Sequence, residues 1–322
     1  MGTNIAIGNL IGKHNTDTQK INFPFSNSLV DYWNFGGKSN FDKDRTTVTG
    51  LLGNVLTAYN FGWSLGSGYG LYKENYLTYK AFNTGSDIRA ILTTTDSQIH
   101  VTEINKSNVK FFDSLEHTTT DYSVKVSGLT DDIDLYFNGL KSTNGAVNTK
   151  LVNGINYLAA VDKYGGFKTS TFTGKCDVTI EQIPEYEGAI VTDGVDDYLK
   201  LDKVGYKVGT IIIKFKPINI KPNIVNSILN IHTDEVALQY DTSGVISSNF
   251  TAYKNYEEYG VGIFNVDKNA ITPLTLGCKL SNSGSPMEYC NMALYSIAIY
   301  DRTLSDQEVQ EVINFMNKDN KS

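Results

Sequence analysis

The chain of 322 residues is poor in cysteine and histidine, with three and four residues respectively. Cys176, Cys278 and Cys290 form no C-x-x-C pair, and no pair of histidines lies near them at the spacing of zinc ligands. A sparse and odd number of cysteines argues against a disulfide scaffold, so three reduced thiols are expected. A Cys278–Cys290 disulfide is the alternative.

Positive charge and long apolar runs are also scarce. Lys and Arg number 28 against 35 Asp and Glu, which gives a net charge of −7. Because no basic excess is present to displace counterions from phosphates, the chain is expected to bind no nucleic acid.

No run approaches the roughly 20 apolar residues that span a bilayer. Residues 1–15 lack the basic start and apolar stretch of a signal peptide, so no membrane partner is predicted.

The chain is instead rich in residues that form strands and turns, including 20 tyrosines, 15 phenylalanines and 28 glycines. Between residues 99 and 182, short segments with period-two alternation are separated by Gly, Asn or Asp, which is typical of a small β-sandwich. The strands predicted there are 99–104, 122–128, 133–139, 155–161 and 176–183.

Longer strands are predicted between residues 184 and 300. In TIIIKFK (210–216), alternation places Ile211, Ile213 and Phe215 on one face and the even-numbered residues on the other. Proline cannot donate to a strand ladder, so Pro217 is expected to end this strand or to lie at a sheet edge.

A helix is predicted only at the C-terminal end. Ser305 is a good N-cap, and Glu308 three residues later completes a capping box. An apolar stripe at helical spacing follows, which indicates a helix packed on a sheet. The stripe consists of Val309, Val312, Ile313 and Met316.

Three segments resemble the laminin-G-like domains of the concanavalin-A lectin/glucanase superfamily. ALYSIAIYDRTLSDQEVQEV (293–312) is similar to their last strand and helix, with Tyr/Asn-Arg-x-Leu-Ser-x-x-Glu present as Tyr300 to Glu308. DGVDDYLKL (193–201) resembles the strand pair that opens their second half. GLLGNVLTAYNF (50–61) resembles a Gly-Asn element of the family, with leucines at 51 and 52 in place of the usual Asp-Leu-Ser.

The order of these matches predicts the domain organisation. The resemblance implies an all-β jelly-roll sandwich that an immunoglobulin-like β-sandwich interrupts, with one helix at the C-terminal end. Long loops tolerate such insertions because the entropy of loop closure rises slowly with length. The predicted parts are an N-terminal arm (1–28), the first part of the jelly roll (29–75), the inserted sandwich (76–185) and the second part of the jelly roll with the helix (186–322).

VDYWNF (30–35), NFGW (60–63), SGYG (67–70) and CDVTIEQIPEYEGAIVTDGVDDY (176–198) together resemble proteins of phages and prophages of gut bacteria. The resemblance implies a structural component of the virion surface, such as a head fibre, tail fibre or decoration subunit, that adheres to host or mucosal glycans. A homotrimer is the expected assembly, by analogy with fibres. The arm is expected to bind other virion proteins. A stand-alone carbohydrate-binding adhesin is the alternative.

Catalysis is not expected, although the superfamily includes glycosidases. Such enzymes carry paired carboxylates that both face the cleft. Glu181 and Glu185 flank a proline, and the adjacent Asp196 and Asp197 are expected to point to opposite faces of a strand. No histidine lies near a Gly-x-Ser-x-Gly elbow. A glycoside hydrolase is therefore the least favoured function, and no organic cofactor is predicted.

Glycan contacts are expected from aromatic rings beside polar groups. The candidates are Trp63 and Tyr69 in a glycine-rich loop, and Tyr253, Tyr256 and Tyr259 in YKNYEEYG. Plain packing is the alternative for each ring.

One cation site is also a candidate. Asp193, Asp196 and Asp197 offer carboxylate oxygens of the kind that calcium prefers. Ordinary turn chemistry at Asp193-Gly194 is the alternative.

Overall fold

A computed structural model describes residues 23–81, 88–112, 117–142, 145–201, 206–232, 235–248, 252–256, 259–263, 269–270 and 274–319. The protein is all-β, and the predicted fold class is confirmed. The chain forms two compact units: unit 1 comprises Met1–Gly70 and Gly188–Ser322, and unit 2 comprises Leu71–Glu187. Within the described ranges, no helix is long and apolar enough to cross a membrane.

The strands follow in chain order. Unit 1 begins with β1 (Leu29–Asn34), β2 (Thr47–Thr49), β3 (Val55–Tyr59) and β4 (Gly68–Tyr69). Unit 2 contains β5 (Lys80–Ala81), β6 (Ala90–Thr94), β7 (Gln98–Ile104), β8 (Lys110–Phe112), β9 (Tyr122–Ser127), β10 (Leu135–Lys141), β11 (Gly145–Lys150), β12 (Gly154–Leu158), β13 (Lys163–Thr169) and β14 (Gly174–Ile183). Unit 1 resumes with β15 (Ile190–Val191), β16 (Tyr198–Leu201), β17 (Tyr206–Lys207), β18 (Thr210–Asn219), β19 (Asn226–His232), β20 (Glu235–Tyr240), β21 (Ile246–Ser248), β22 (Ala252–Tyr256), β23 (Tyr259–Ile263), β24 (Asn269–Ala270), β25 (Leu274–Leu276), β26 (Lys279–Leu280), β27 (Pro286–Met287), β28 (Asn291–Tyr300) and the helix α1 (Asp306–Asp319). Short 3-10 turns lie at Ser26–Ser28 and Tyr76–Thr78.

Unit 1 is a sandwich of two seven-stranded sheets. The first has the order β22-β23-β18-β28-β15-β4, with β1 also paired to β28, and the second has the order β2-β3-β16-β25-β19-β20-β21. Strand β28 pairs with β18 along one edge, while β1 and β15 lie end to end along the other. The last strand thus joins the two sequence segments of the unit. Between the sheets, Trp33 is fully buried and its indole N–H donates to the carbonyl of Asn54 at 2.9 Å.

Strand β18 has the two faces that its sequence predicts. Ile211, Ile213 and Phe215 lie in the core between the sheets, and Ile212 packs on the opposite side beneath α1. The strand continues past Pro217 to Asn219, while its pairing with β23 ends at Lys214. Pro217 therefore lies where β18 forms a local edge of the sheet. Because no strand pairs with it on the β23 side, its lack of an N–H removes no hydrogen bond there.

Helix α1 begins with the predicted capping box. The N–H of Ser305 donates to Glu308 Oε2 at 2.8 Å, and the N–H of Glu308 donates to Ser305 Oγ at 3.3 Å. The predicted stripe is buried against the outer face of the first sheet, on Ile212, Ala298 and Tyr300. Each buried apolar side chain of this kind contributes roughly 1.5–3 kcal/mol.

The segment before β1 joins the same outer core. The Phe23 ring lies 4.6 Å from that of Tyr32 and 4.8 Å from that of Phe315, and the Tyr300 hydroxyl donates to the Pro24 carbonyl at 3.0 Å. Residues 23–28 are thus part of the fold, which corrects the end of the predicted arm. Residues 1–22 lie outside the described residues.

Unit 2 is a sandwich of two five-stranded antiparallel sheets, in the orders β11-β10-β13-β8-β5 and β12-β9-β14-β7-β6. Its core includes Ile99, Val124, Phe137, Phe167 and Ile180, all at most 1% exposed. The five predicted strands of this region correspond to β7, β9, β10, β12 and β14, and β5, β6, β8, β11 and β13 were not predicted.

The three cysteines are free thiols, so the expected absence of a Cys278–Cys290 disulfide is confirmed. Cys278 and Cys290 are both buried, and burial raises the pKa of each thiol to about 12. Both behave as small core residues.

Candidate ligand-binding site

A tight acidic turn links β15 to β16 in unit 1. Asp193 Oδ1 accepts the backbone N–H groups of Val195 at 2.7 Å and Asp196 at 3.3 Å, which folds the chain back on itself. Gly194 has a φ of +72°, a conformation that other residues rarely adopt. A Cβ at this position would lie 2.8 Å from Asn291 Cβ, so the turn requires glycine after Asp193.

The carboxylates of Asp193, Asp196 and Asp197 converge on this turn. One carboxylate oxygen of each lies within 4.8 Å of the other two. The expectation that Asp196 and Asp197 point to opposite faces of a strand is wrong, because β16 begins only at Tyr198. In the turn that precedes it, the alternation of a strand does not apply.

Asp197 is the most constrained of the three acids because its side chain is fully buried. Its Oδ2 accepts the N–H of Asp193 at 2.9 Å, and among the described residues no group donates a hydrogen bond to Oδ1. Burial raises the pKa of Asp197 to about 7, and the charge of Asp193 adds to the effect, while the N–H of Asp193 and the Ser67 hydroxyl oppose it.

Two tyrosines stack beside the acidic turn. Tyr59 of β3 and Tyr198 of β16 are directly paired across the strands, with ring centroids 4.9 Å apart and planes inclined by 8°. Their neighbours Ala58 and Leu199 lie in the core, so the tyrosine rings occupy the outward face of the sheet. Both tyrosines are half-buried.

The turn and the tyrosine pair are tied together by the residue that follows Tyr59. Asn60 has a φ of +67°, and its side-chain amide donates to the carbonyl of Asp196 at 3.0 Å. On the other side of the turn, the Lys221 ammonium donates to the carbonyl of Gly194. These contacts fix the acids relative to the rings.

Tyr289 is a third ring close to the turn. Burial raises its pKa, and the neighbouring Cys278, Tyr198, Asp196 and Asp193 add to the shift. Its hydroxyl donates to the Pro286 carbonyl at 3.3 Å. The group is called the tyrosine–aspartate site below, and it comprises Tyr59, Asn60, Asp193, Asp196, Asp197, Tyr198 and Tyr289.

The two ring candidates in the glycine-rich loop are placed differently. Tyr69 is only 3% exposed and its hydroxyl donates to the Arg45 carbonyl at 3.1 Å, so the prediction of a glycan platform is corrected to a core residue. Trp63 is half-buried between Phe61 and Tyr69, at centroid distances of 5.1 and 5.6 Å. The Arg45 guanidinium lies 5.8 Å from the Trp63 ring. Glycan contact at Trp63 stays a prediction.

The three tyrosines of YKNYEEYG lie on two paired strands. Tyr256 of β22 is directly opposite Tyr259 of β23, and Tyr253 is opposite Gly262. Their side chains lie outside what the structure describes. Glycan contact at these tyrosines stays a prediction.

Sequence reasoning missed Tyr59, Tyr198 and Tyr289. Period-two alternation in VLTAY (55–59) and YLKL (198–201) marks Tyr59 and Tyr198 as outward-facing. It gives no sign that these segments pair, because the whole of unit 2 separates them in sequence. Tyr289 lies outside any named strand, so no periodicity marks it.

Chemically, the site combines flat apolar rings with acceptors of hydrogen bonds. Aromatic rings offer a large rigid surface, and a few placed polar groups orient a ligand on it. Comparison with known protein families and with curated proteins finds no match. The geometry of the site is therefore the basis for assigning a function.

Proposed function

We propose that the protein is a non-catalytic glycan-binding protein and that the tyrosine–aspartate site contacts the sugar. The observation that carries the proposal is the stacked Tyr59–Tyr198 pair beside three aspartates. The apolar face of a sugar ring packs on aromatic rings, and sugar hydroxyls donate to carboxylates. The two rings lie on the outward face of the sheet, and Asp196 is the exposed carboxylate of the turn beside them.

The rigidity of the site favours binding. The rings are held by their mutual stacking at 4.9 Å and by the strand pairing beneath them. Asn60 fixes the turn against the same strand. A preorganised surface loses little conformational entropy on binding, which raises affinity for a ligand that offers few contacts.

The proposal assigns no catalysis, although hydrolysis is the specific alternative that the site raises. Asp197 has the raised pKa of a general acid and lies near two further carboxylates. However, its side chain is fully buried, which separates it from a glycosidic oxygen in solvent. Asp193 in turn accepts backbone N–H groups through Oδ1. These contacts favour a structural use of Asp193 and Asp197, and they leave the exposed Asp196 as the carboxylate that accepts from a sugar hydroxyl.

The setting we propose is the surface of a phage virion, where a fibre or decoration subunit would bind host or mucosal glycans. This part of the proposal rests on the sequence resemblances and on the all-β fold that they imply. Residues 1–22 would bind other virion proteins, and the subunits would form a homotrimer. A stand-alone adhesin would use the same site without an attachment partner.

A glycan array probed with the full chain tests the proposal. Binding to a defined class of polysaccharide, with no release of reducing ends from the bound glycans over a day, is the expected result. Hydrolysis that Asp197→Asn abolishes would replace the proposal with a glycosidase. Absence of binding across bacterial and mucosal glycans would contradict the assignment of a glycan-binding function.

A further inference from the structure

We infer that one sheet of unit 2 carries a binding site for an acidic polysaccharide, formed by lysines, asparagines and a tyrosine on its outward face. The site lies on the sheet β11-β10-β13-β8-β5 and shares no residue with the tyrosine–aspartate site. The inference therefore does not depend on glycan binding by unit 1. It rests on the register of the strands, on a pair of like charges, and on a groove.

The register of the strands brings positive charge into one row across the sheet. In β10 and β13, residues of the core of unit 2 alternate with residues that face outward. The directly paired outward residues, taken from β11 to β8, are Lys150, Tyr136, Lys168 and Lys110. Three lysines thus share one face of a chain whose net charge is −7.

A second outward row lies beside the first. Taken from β11 to β5, its paired residues are Asn148, Asn138, Gly166, Phe112 and Lys80. Lys80 is exposed and adds a fourth positive charge to the face. The asparagine amides both donate and accept hydrogen bonds, and the hydroxyls of a sugar can use either kind.

The first row contains two like charges in direct contact range. Lys110 and Lys168 are paired on neighbouring strands, a position where like charges destabilise a sheet. Lys150 forms an ion pair with Asp134 at 2.6 Å, but within the described part of the chain no acid lies at ion-pair distance from Lys110 or Lys168. An anionic group of a ligand, bound between the two ammonium groups, would offset their repulsion.

A groove on the same face joins the two rows. Its lining consists of Lys110, Phe112, Asn138, Tyr164, Gly166 and Phe167. Gly166 contributes no side chain that could fill the groove. Tyr164 is 39% exposed and has a φ of +61°, a strained conformation for a residue with a side chain. Such strain clusters at binding sites, where the surrounding structure holds it.

These groups together favour one class of ligand. Lysines bind carboxylate or sulfate groups, the asparagine amides bind hydroxyls, and the exposed ring of Tyr164 packs on the apolar face of a sugar. A single-stranded nucleic acid would need several rings on which successive bases stack. A chain with a net negative charge also attracts dense phosphate charge poorly. The face therefore fits a polysaccharide that carries acidic groups.

Binding of the full chain to polygalacturonate, dextran sulfate and uncharged dextran tests the inference. The wild type should bind at least one of the two acidic polymers at about 50 mM salt, more weakly at about 200 mM, and should not bind dextran. The acidic probes separate this face from the tyrosine–aspartate site, whose three carboxylates repel them. A negative result would leave the function proposed for unit 1 standing.

The decisive variant combines Lys110→Gln with Lys168→Gln. It should lose at least about tenfold in affinity for the acidic polymer, because both charges that meet the anion are gone. It should melt no lower than the wild type, because the repulsion between the paired lysines is gone too. Lys125→Gln with Lys175→Gln is the matched control: it removes the same charge at exposed positions of the other sheet of unit 2 and should bind as the wild type does.

Tyr164→Gly provides a second variant. Glycine adopts a positive φ without strain, so the fold is kept while the ring is lost, and affinity for the acidic polymer should fall. Failure of the wild type to bind either acidic polymer would overturn the inference. Equal affinity in the Lys110/Lys168 variant and its control would also overturn it, because the contact would then lie elsewhere. Tighter binding of single-stranded DNA than of either polymer would overturn the class of ligand.

Discussion

The carboxylate of Asp31 accepts both the backbone N–H and the side-chain amide of Asn54, at 2.9 and 2.7 Å. It also accepts the N–H groups of Tyr32 and Leu52, each at 2.8 Å. Asp31 is fully buried on β1, so this one side chain fixes the 50–54 loop to the first sheet. The loop leads directly into β3 and Tyr59.

Replacing Asp31 with alanine should therefore destabilise unit 1 strongly. The change removes the acceptor for three backbone N–H groups, and each buried donor left unsatisfied costs about 1–3 kcal/mol. We expect the free energy of unfolding, measured with urea, to fall by about 3 kcal/mol or more. Asp131→Ala in unit 2 is the control. A fall of less than about 1 kcal/mol in the free energy of unfolding of Asp31→Ala would show that water takes over the hydrogen bonds to the N–H groups of the loop.

Gly194→Ala tests the geometry of the acidic turn. The φ of +72° strains any other residue, and the added Cβ would lie 2.9 Å from the backbone nitrogen of Asn291. Gly244→Ala is a matched control, because Gly244 has a φ of +79° and no atom within 4 Å of its Cβ position. Strain alone costs about 1–3 kcal/mol. Thermal unfolding should show a clearly larger loss of stability for Gly194→Ala than for Gly244→Ala. Equal losses would mean that Asn291 moves to accommodate the added Cβ.

Acid should weaken the anchoring of α1 through Glu308. Its carboxylate accepts two N–H groups of Arg302, at 3.1 and 2.6 Å, and this pair, with the cap at Ser305, lowers the pKa of Glu308 to about 2. Because the folded pKa lies below the unfolded value of about 4.3, the stabilisation is present above pH 4.3 and disappears as the pH falls towards 2.

Glu308→Gln should thus lower the melting temperature at pH 7 and have little effect at pH 2. The control is Glu311→Gln on the same helix, an exposed position. The contribution is modest, because Glu308 and Arg302 are both partly exposed to solvent. An equal effect of Glu308→Gln at the two pH values would contradict the role given to the ion pair.

The proposed fibre assembly predicts the mass of the protein in solution. Light scattering should give three chains of 35.6 kDa each. A chain that lacks residues 1–22 should keep this mass but fail to join virions. A monomeric full-length chain would favour the stand-alone adhesin, and normal incorporation of the truncated chain would remove the attachment role of the arm.

Local patterns predicted the parts of the fold that depend on neighbours in sequence. The capping box at Ser305 and Glu308 and the faces of β18 follow from spacings of a few residues. The site depends on long-range pairing: Tyr59 meets Tyr198 only because β3 pairs with β16 across the interruption by unit 2. A pattern among residues close in sequence does not predict that contact.

Strand β13 shows why some strands of unit 2 were missed. Its sequence KYGGFKT places two glycines at its centre, which weakens the strand signal. Gly166 is required there by close packing, since a Cβ would lie 2.5 Å from the Phe111 carbonyl oxygen and 2.6 Å from Phe112 Cβ. Packing against Phe111 and Phe112 requires glycine at position 166, and the sequence alone does not show that these residues meet.

Binding of a glycan by the tyrosine–aspartate site is the central claim, and calorimetric titration of tyrosine variants tests it most directly. The best array ligand would be titrated into the wild type, Tyr198→Ala, and Tyr157→Ala, which removes a tyrosine that is 61% exposed in unit 2. Tyr198→Ala should lose at least about tenfold in affinity, since aromatic contacts dominate binding energy, while Tyr157→Ala keeps the wild-type value. Unchanged affinity in a folded Tyr198→Ala protein would contradict the claim.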